Sequence, residues 1–148
     1  MNIIDGKKIS NQIKYEIKLE VQNIISNGGT PPHLAAVLVG DDGASLTYVG
    51  SKVKSCEQVG FKSTLIKLSK NVSEKELLNK IKELNNNKEI DGFIVQLPLP
   101  KHIDEQKILL SINPNKDVDG FHPTNFGKMA LNMETFIPAT PYGIMELL

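Results

Sequence analysis

The sequence predicts an α/β fold, a three-layer open sheet of mainly parallel strands with helices on both faces. Short apolar runs bounded by glycine and proline alternate with segments whose apolar residues recur every three to four positions. Strands that alternate with amphipathic helices form parallel sheets, because each crossover helix packs back on one face. A length of 148 residues, 40% of them hydrophobic, suits one domain with a real core.

The first helix is predicted to follow residues 5–8 and to run to about residue 27, where the glycine pair at 28–29 ends it. Its isoleucines and one valine recur at helical spacing, at Ile9, Ile13, Ile17, Val21, Ile24 and Ile25. Two prolines at 31–32 then force an extended entry into the run 34–40. That run is continuously apolar, as is typical of a strand buried on both faces.

The second helix is predicted to begin at an N-cap residue, Ser45, and to end at Gly60. Its apolar face carries Val49, Val53, Cys56 and Val59. The single cysteine of the chain lies on this face, which favours a buried structural thiol over a nucleophile and fits a reducing compartment. A second strand is expected over about 62–68.

The second half of the chain continues the alternation. Ser73 and Glu76 have the spacing of a capping box and open a helix that ends in the asparagine run 85–87. A third strand is predicted over 92–97, where prolines stop it, and a short helix follows at about 104–112.

The C-terminal part contains a loop and one more helix. Residues 113–123 are a loop by composition. A final helix begins near residue 138, with Thr140 as the expected N-cap and Pro141 at its first position.

One helix face carries both Tyr48 and Lys52, because they lie four residues apart. A phenol beside an ammonium group can act as an acid/base pair. The alternative is that Tyr48 packs on the edge of the core and Lys52 extends into water. In open parallel sheets ligands bind outside the carboxyl ends of the strands, where Tyr48, Lys52 and Gln96 are expected to lie together. Gln96 interrupts an apolar run and needs hydrogen-bond partners, either a local backbone group or a functional one.

The charge balance and the composition exclude several classes of function. The 17 basic residues are all lysine and are matched by 17 acidic ones, so the net charge is zero and bidentate arginine contacts to nucleic acid are absent. No apolar run approaches a membrane span, and the first residues lack the features of a signal peptide. We therefore expect a cytoplasmic protein that binds neither nucleic acid nor membrane.

The loop 113–123 contains two acids, Asp117 and Asp119, and one histidine, His122. The ligand spacing of a calcium loop is missing, and His122 has no second histidine or cysteine at metal-binding spacing, so no metal is predicted. The acids are either solvated turn residues or recognition groups. A carboxylate in such a loop can accept two N–H bonds side by side from an amino-pyrimidine edge.

Four separated motifs in order carry a family resemblance. They are Val39-Gly40-Asp41 with Ser45-x-x-Tyr48-x-x-Ser51-Lys52, Gly92-Phe93-Ile94-Val95-Gln96-Leu97-Pro98-Leu99-Pro100, Lys116-Asp117-Val118-Asp119-Gly120-Phe121, and Pro138-x-Thr140-Pro141-x-Gly143. Over essentially its whole length the chain resembles the N-terminal catalytic domain of the bifunctional methylenetetrahydrofolate dehydrogenase/methenyltetrahydrofolate cyclohydrolase (FolD) family. Ala139 departs from the family, whose members usually carry cysteine there.

The resemblance implies a role for each matching residue. Lys52 is expected to be the acid/base residue, Tyr48 to stack on the folate, and Gln96 to hydrogen-bond the lysine. Asp119 is expected to anchor the pterin ring. The remaining folate contacts are expected from Ser51, Leu97 and Pro98. Tyr48 and Gln96 are counted with Lys52 as catalytic residues.

The resemblance also implies a reaction and a domain organisation. NADP would oxidise 5,10-methylenetetrahydrofolate to the methenyl form, and water would convert that to 10-formyltetrahydrofolate. Residues 1–137 would be the tetrahydrofolate-binding catalytic domain and 138–148 the start of a helix linking to an absent nucleotide-binding domain. The isolated chain is therefore expected to lack dehydrogenase activity, and the full-length protein to be a homodimer.

Two alternatives remain open at this point. The Tyr-x-x-x-Lys spacing also marks short-chain dehydrogenases, although the glycine-rich loop expected before it is absent from the sequence. The chain could also be a binding module that holds folate without turning it over.

Overall fold

The computed structural model describes residues 4–148 and contains helices on both sides of a parallel sheet. In chain order the elements are α1 (Gly6–Ser26), β1 (His33–Val39), α2 (Gly43–Val59), β2 (Lys62–Leu68), α3 (Glu74–Asn86), β3 (Gly92–Val95), α4 (Glu105–Ser111), α5 (Pro123–Ala130) and α6 (Ala139–Leu147).

The sheet has the order β2-β1-β3, and both strand pairs are parallel. In its register Leu34 of β1 pairs with Ser63 on one side and with Gly92 on the other. Strand β3 ends at Val95, two residues earlier than predicted. The Gln96 N–H still donates to the Val37 carbonyl at 2.9 Å, but Pro98 has no N–H with which to continue a ladder.

Alternate residues of β1 face two different helical layers. Ala35, Val37 and Val39 pack into the main core, to which α3 and α4 contribute. Ala36 and Leu38 face the opposite way and pack with Val49 of α2. The predicted α/β fold with three layers is therefore confirmed. Cys56 is buried in α2, as predicted, and burial raises the pKa of its thiol.

Helix α1 lies at the margin of the fold. Among its apolar residues only Val21 is fully buried, whereas Ile24 and Ile25 are exposed. The helix packs on α2, where Lys14 Nζ donates to Gln58 Oε1 at 3.0 Å. Helical periodicity thus identified the helix correctly, although its apolar face is only partly covered by residues 4–148.

Two predicted helix starts are wrong. Asp42, and not Ser45, caps α2: the Asp42 carboxylate accepts the Ser45 N–H at 2.8 Å, so the helix begins at Gly43. Helix α6 begins at Ala139 after Pro138, with no side-chain hydrogen bond at that cap, so Thr140 lies inside the helix. The capping box of Ser73 and Glu76 is confirmed by both of its hydrogen bonds.

Helix α5 was not predicted from the sequence. Pro123 opens it, and the ring of His122 accepts the Thr124 N–H at 3.1 Å as its N-cap. The helix is short, and its one fully buried side chain is the polar Asn125, so no apolar periodicity announces it. No helix within residues 4–148 has the length and apolar character needed to cross a membrane.

Candidate active site

The carboxyl ends of β1 and β3 lie at one edge of the sheet, because the strands are parallel and adjacent. The chain leaves β1 through Gly40, Asp41 and Asp42 and enters α2, which carries Tyr48 and Lys52 one turn apart. Gln96 follows directly after β3. The three residues therefore meet at one edge, as predicted from their order in the chain.

A cleft of about 340 Å³ opens at this edge. Residues from four parts of the chain line it: Tyr48, Lys52, Val95, Gln96, Leu97, Asp119, Phe121, Pro138, Ala139, Thr140 and Pro141. Its volume lies at the lower end of the range of small-molecule sites, roughly 300–1,000 Å³. Such sites are typically apolar with a few converging polar groups, and this cleft has that character.

The two charged residues of the cleft face each other. Lys52 Nζ lies 3.8 Å from Asp119 Oδ1, and the side chains are 35% and 25% exposed. Burial raises the pKa of the Asp119 carboxyl above its usual range; the Lys52 charge lowers this pKa, and the Asp117 charge raises it. Asp119 thus has a greater tendency to hold a proton than an exposed carboxyl does.

Gln96 leaves one polar atom unused. Its Nε2 donates to the Leu97 carbonyl at 2.8 Å, which is one of the two partners considered for it. Its Oε1 is buried and finds no hydrogen-bond donor among residues 4–148, Lys52 included. A buried acceptor without a partner costs about 1–3 kcal/mol, so this oxygen is suited to a donor from a ligand.

Asp119 is placed by the residues on either side of it. The Phe93 N–H donates to the Lys116 carbonyl at 2.9 Å, which docks the loop along the free edge of β3. Val118 then packs on Gly92, where an added Cβ would lie 2.2 Å from Val118 Cγ1. Gly120 has a positive φ of 68°, and its missing Cβ would lie 2.7 Å from the Phe136 carbonyl oxygen. Asp119 lies between Val118 and Gly120, and its side chain lines the cleft.

The remaining predicted site residues lie at different depths. Tyr48 is 67% exposed, and Leu97 lines the cleft. Ser51 does not line the cleft; it lines an adjacent apolar groove of about 440 Å³, which shares Tyr48 and Lys52 with the cleft. Pro98 is exposed and lines neither depression.

Several residues that line the cleft were not predicted from the sequence as site residues. Phe121, Pro138 and Thr140 come from segments after the sheet. Their path across the sheet edge follows from tertiary packing and leaves no periodic signal. Phe121, Pro138 and Thr140 all stand at matching positions of the family motifs, and only that match points to them in the sequence.

The turn between β1 and α2 does not fit a dinucleotide. A pyrophosphate binds at a helix N-terminus through free backbone N–H groups. Here the Asp42 carboxylate already accepts the Ser45 N–H, and Asp41 adds a second negative charge. Across residues 4–148, no three His, Cys, Asp or Glu side chains lie close enough together to hold a metal ion.

A family model described as the tetrahydrofolate dehydrogenase/cyclohydrolase catalytic domain matches residues 4–119. The chain belongs to this family. The members of the tetrahydrofolate dehydrogenase/cyclohydrolase family that it matches include the bifunctional protein FolD of Flavobacterium johnsoniae, which is 72% identical over 148 residues. The match covers 100% of this chain and 50% of that relative. The chain thus spans about half the length of the curated relatives it matches.

Solved structures of the family superpose closely on the chain. The FolD methylenetetrahydrofolate dehydrogenase/cyclohydrolase of Campylobacter jejuni gives a TM-score of 0.96 at 48% identity, over 100% of this chain and 52% of that one. The Trypanosoma brucei FolD, complexed with NADP cofactor and inhibitor, gives 0.93 at 33% identity, over 99% of this chain and 50% of that one. The resemblance inferred from the four motifs is confirmed.

Proposed function

We propose that the cleft binds tetrahydrofolate derivatives and serves one-carbon metabolism. The intact protein would oxidise 5,10-methylenetetrahydrofolate to 5,10-methenyltetrahydrofolate and hydrolyse that product to 10-formyltetrahydrofolate. The observation that carries the proposal is the convergence of Tyr48, Lys52, Gln96 and Asp119 on one cleft in a chain of this family.

Lys52 is the acid/base residue in this proposal. A protonated lysine would repel the methenyl cation, whereas a neutral amine can take a proton from the water that adds to it. Gln96 is a neutral neighbour, so its unpaired Oε1 can orient the amine or the water without adding charge. Lys52 Nζ lies within 3.8 Å of Asp119, so the base and the anchoring carboxylate act on one bound ring system.

Asp119 is the anchor for the pterin ring. A carboxylate accepts two parallel N–H bonds, which matches the amino-pyrimidine edge of a pterin. Tyr48 is exposed at the mouth of the cleft, where its ring can stack on the part of the folate that projects outward. Leu97 supplies part of the apolar wall of the cleft. Ser51 and Pro98 can contact the folate only if the ligand extends beyond the cleft.

The hydride acceptor is proposed to be NADP, which the Trypanosoma brucei relative holds in its structure. The turn between β1 and α2 does not fit this nucleotide, because the Asp42 carboxylate already occupies the start of α2. We propose that it is bound outside these 148 residues, in a domain reached through 138–148, and that the intact protein is a cytoplasmic homodimer. Residues 1–137 would then be the folate-binding catalytic domain.

The test combines binding with turnover in the same protein. Calorimetric titration with 5,10-methenyltetrahydrofolate is expected to show binding, and the methenyl absorbance is expected to decay faster than in buffer. Binding without faster decay would make the chain a folate-binding module. The absence of binding would remove the folate assignment altogether.

A further inference from the structure

We propose that Asp117 and Asn125 are positioning residues: together they clamp the loop 117–122 so that Asp119 and Phe121 lie at the cleft. The inference rests on the proposed function, because the placement of these two side chains matters for activity only if the cleft binds folate. Neither Asp117 nor Asn125 lines the cleft itself.

The Asp117 carboxylate closes the loop on itself. Asp117 is 2% exposed, and its Oδ2 accepts the His122 N–H at 2.8 Å and Asn125 Nδ2 at 3.0 Å. A buried carboxylate is costly unless hydrogen bonds satisfy it, so this residue type at this depth indicates a dedicated structural interaction. One oxygen thereby joins the start of the loop to the start of α5.

Asn125 ties the same clamp to two further segments. It is also 2% exposed, its Nδ2 donates to the Pro114 carbonyl at 2.8 Å, and its Oδ1 accepts the Thr135 hydroxyl at 3.0 Å. Thr135 precedes Phe136, whose carbonyl oxygen lies against Gly120. The segment that leads to the cleft wall at 138–141 is therefore held by the same side chain.

Lys116, which directly precedes the loop, anchors the start of the loop to α3. Its Nζ donates to the carbonyls of Leu84 and Asn87 at the end of α3, at 3.0 and 2.5 Å. The loop thus runs between two fixed points, and the side chains of Asp119 and Phe121 line the cleft between them. Binding a ligand to a pre-ordered loop avoids the entropy cost of ordering it, and the clamp supplies that order.

The test compares four variants in the intact protein. Asp117→Ala and Asn125→Ala are expected to raise KM for 5,10-methenyltetrahydrofolate about tenfold while kcat changes less than about twofold, as for a loss of binding that is equal in the ground state and the transition state. Asp117→Asn is expected to keep the parental KM, because its carboxamide oxygen can replace Oδ2 as acceptor.

Asn85→Ala is the matched control. Asn85 also makes two part-buried side-chain bonds to backbone, to the Ser111 carbonyl and from the Asn113 N–H, both at 2.8 Å, and it does not line the cleft. Its KM is expected to stay at the parental value. An equal rise in KM for this control would mean that general destabilisation, and not positioning, causes the effect.

Amide hydrogen exchange provides a readout that does not depend on folate. Exchange at residues 118–122 is expected to be faster in Asp117→Ala than in Asp117→Asn. If the parental protein neither binds nor hydrolyses 5,10-methenyltetrahydrofolate, the proposed function fails, while the exchange result still decides whether the clamp exists. Parental exchange and KM in Asp117→Ala, or an Asp117→Asn variant as impaired as Asp117→Ala, would overturn the clamp. If Asp117→Ala does not fold, hydrogen exchange and KM are measured in Asn125→Ala instead.

Discussion

Lys52 and Asp119 face each other at 3.8 Å, and each is partly exposed to solvent. Ion pairs of this kind contribute about 0–1 kcal/mol to stability, because water screens both charges. The ion pair between Lys52 and Asp119 therefore contributes little to the free energy of unfolding. In the proposed function these two groups matter for the chemistry of the cleft, where Lys52 would move a proton and Asp119 would hold the edge of the pterin ring.

Lys52→Met is predicted to lower cyclohydrolase activity by roughly 10²–10⁴-fold, the usual contribution of a positioned general base. The unfolding free energy should change by less than about 1 kcal/mol. Methenyl decay and urea unfolding measure the two effects. Lys54→Met is the control, since Lys54 lies on the same helix, is exposed and does not line the cleft. A parental rate in Lys52→Met would show that another group is the base.

Asp119→Asn is predicted to weaken folate binding. The amide keeps the size of the side chain but replaces one acceptor oxygen with a donor, which meets the pterin N–H edge badly. A hydrogen bond to a charged acceptor contributes about 1.5–3 kcal/mol, so the dissociation constant should rise by roughly one to two decades. Calorimetry measures it, and an unchanged constant would make Asp119 an ordinary loop acid.

The same substitution has a predicted effect on the pH dependence of stability. Burial raises the pKa of Asp119 in the folded state, so between its unfolded and folded pKa values the folded state binds the proton more tightly. The unfolding free energy of the parental protein therefore loses a contribution as pH rises through that interval. The carboxamide of the Asp119→Asn variant does not titrate, so this variant should gain stability relative to the parent as pH rises. Urea unfolding at a series of pH values checks the sign.

At the scale of elements, the contact between β3 and the loop after α4 depends on Gly92, which has no side chain. Gly92 pairs with Leu34 in the sheet and accepts Val118 over its backbone. A methyl group at this position would lie 2.2 Å from Val118 Cγ1, so either the strand or the loop must move. Such a movement is passed on to Asp119, the next residue in the loop.

Gly92→Ala is predicted to destabilise the fold by about 1–3 kcal/mol, as overpacking usually does, and to weaken folate binding as well. Gly50→Ala is the matched control: an added Cβ there meets no atom of the described residues within 4 Å, apart from the backbone of its own helix. Because alanine favours a helix over glycine by about 0.5–1 kcal/mol, this control should stabilise the protein and leave folate binding unchanged. A Gly92→Ala variant of parental stability and affinity would show that the loop adapts freely.

At the scale of the whole molecule, the 148-residue chain is expected to bind NADP⁺ more weakly than the micromolar range. It is also expected not to form the methenyl compound. Hydride transfer needs the nicotinamide at about 3–3.5 Å from the folate carbon, and in the proposed function the cleft would supply only one wall of that arrangement. The Asp42 cap at the start of α2 leaves its N-terminus unsuited to a phosphate. Calorimetric titration with NADP⁺ tests this, and micromolar binding would reveal a nucleotide site within these residues.

The sequence by itself determined the order of the elements and the composition of the layers. Helical periodicity predicted α1 to α3, and continuous apolar runs predicted the buried strands, because each pattern follows directly from which faces must leave water. The parallel sheet followed from that alternation. Tyr48, Lys52 and Gln96 could be placed at one sheet edge for the same reason, since strand direction alone decides where their elements end.

Only the tertiary structure decided how the loops complete the cleft. Asp119 could be assigned to it from the family resemblance, but its approach to Lys52 depends on Val118 packing over Gly92, a contact between residues distant in the chain. The cap at Asp42 and the helix α5 depend on individual side-chain hydrogen bonds, which leave no periodic trace. A local pattern reports which side of an element is apolar, whereas the walls of a cleft depend on contacts between segments that the pattern does not describe.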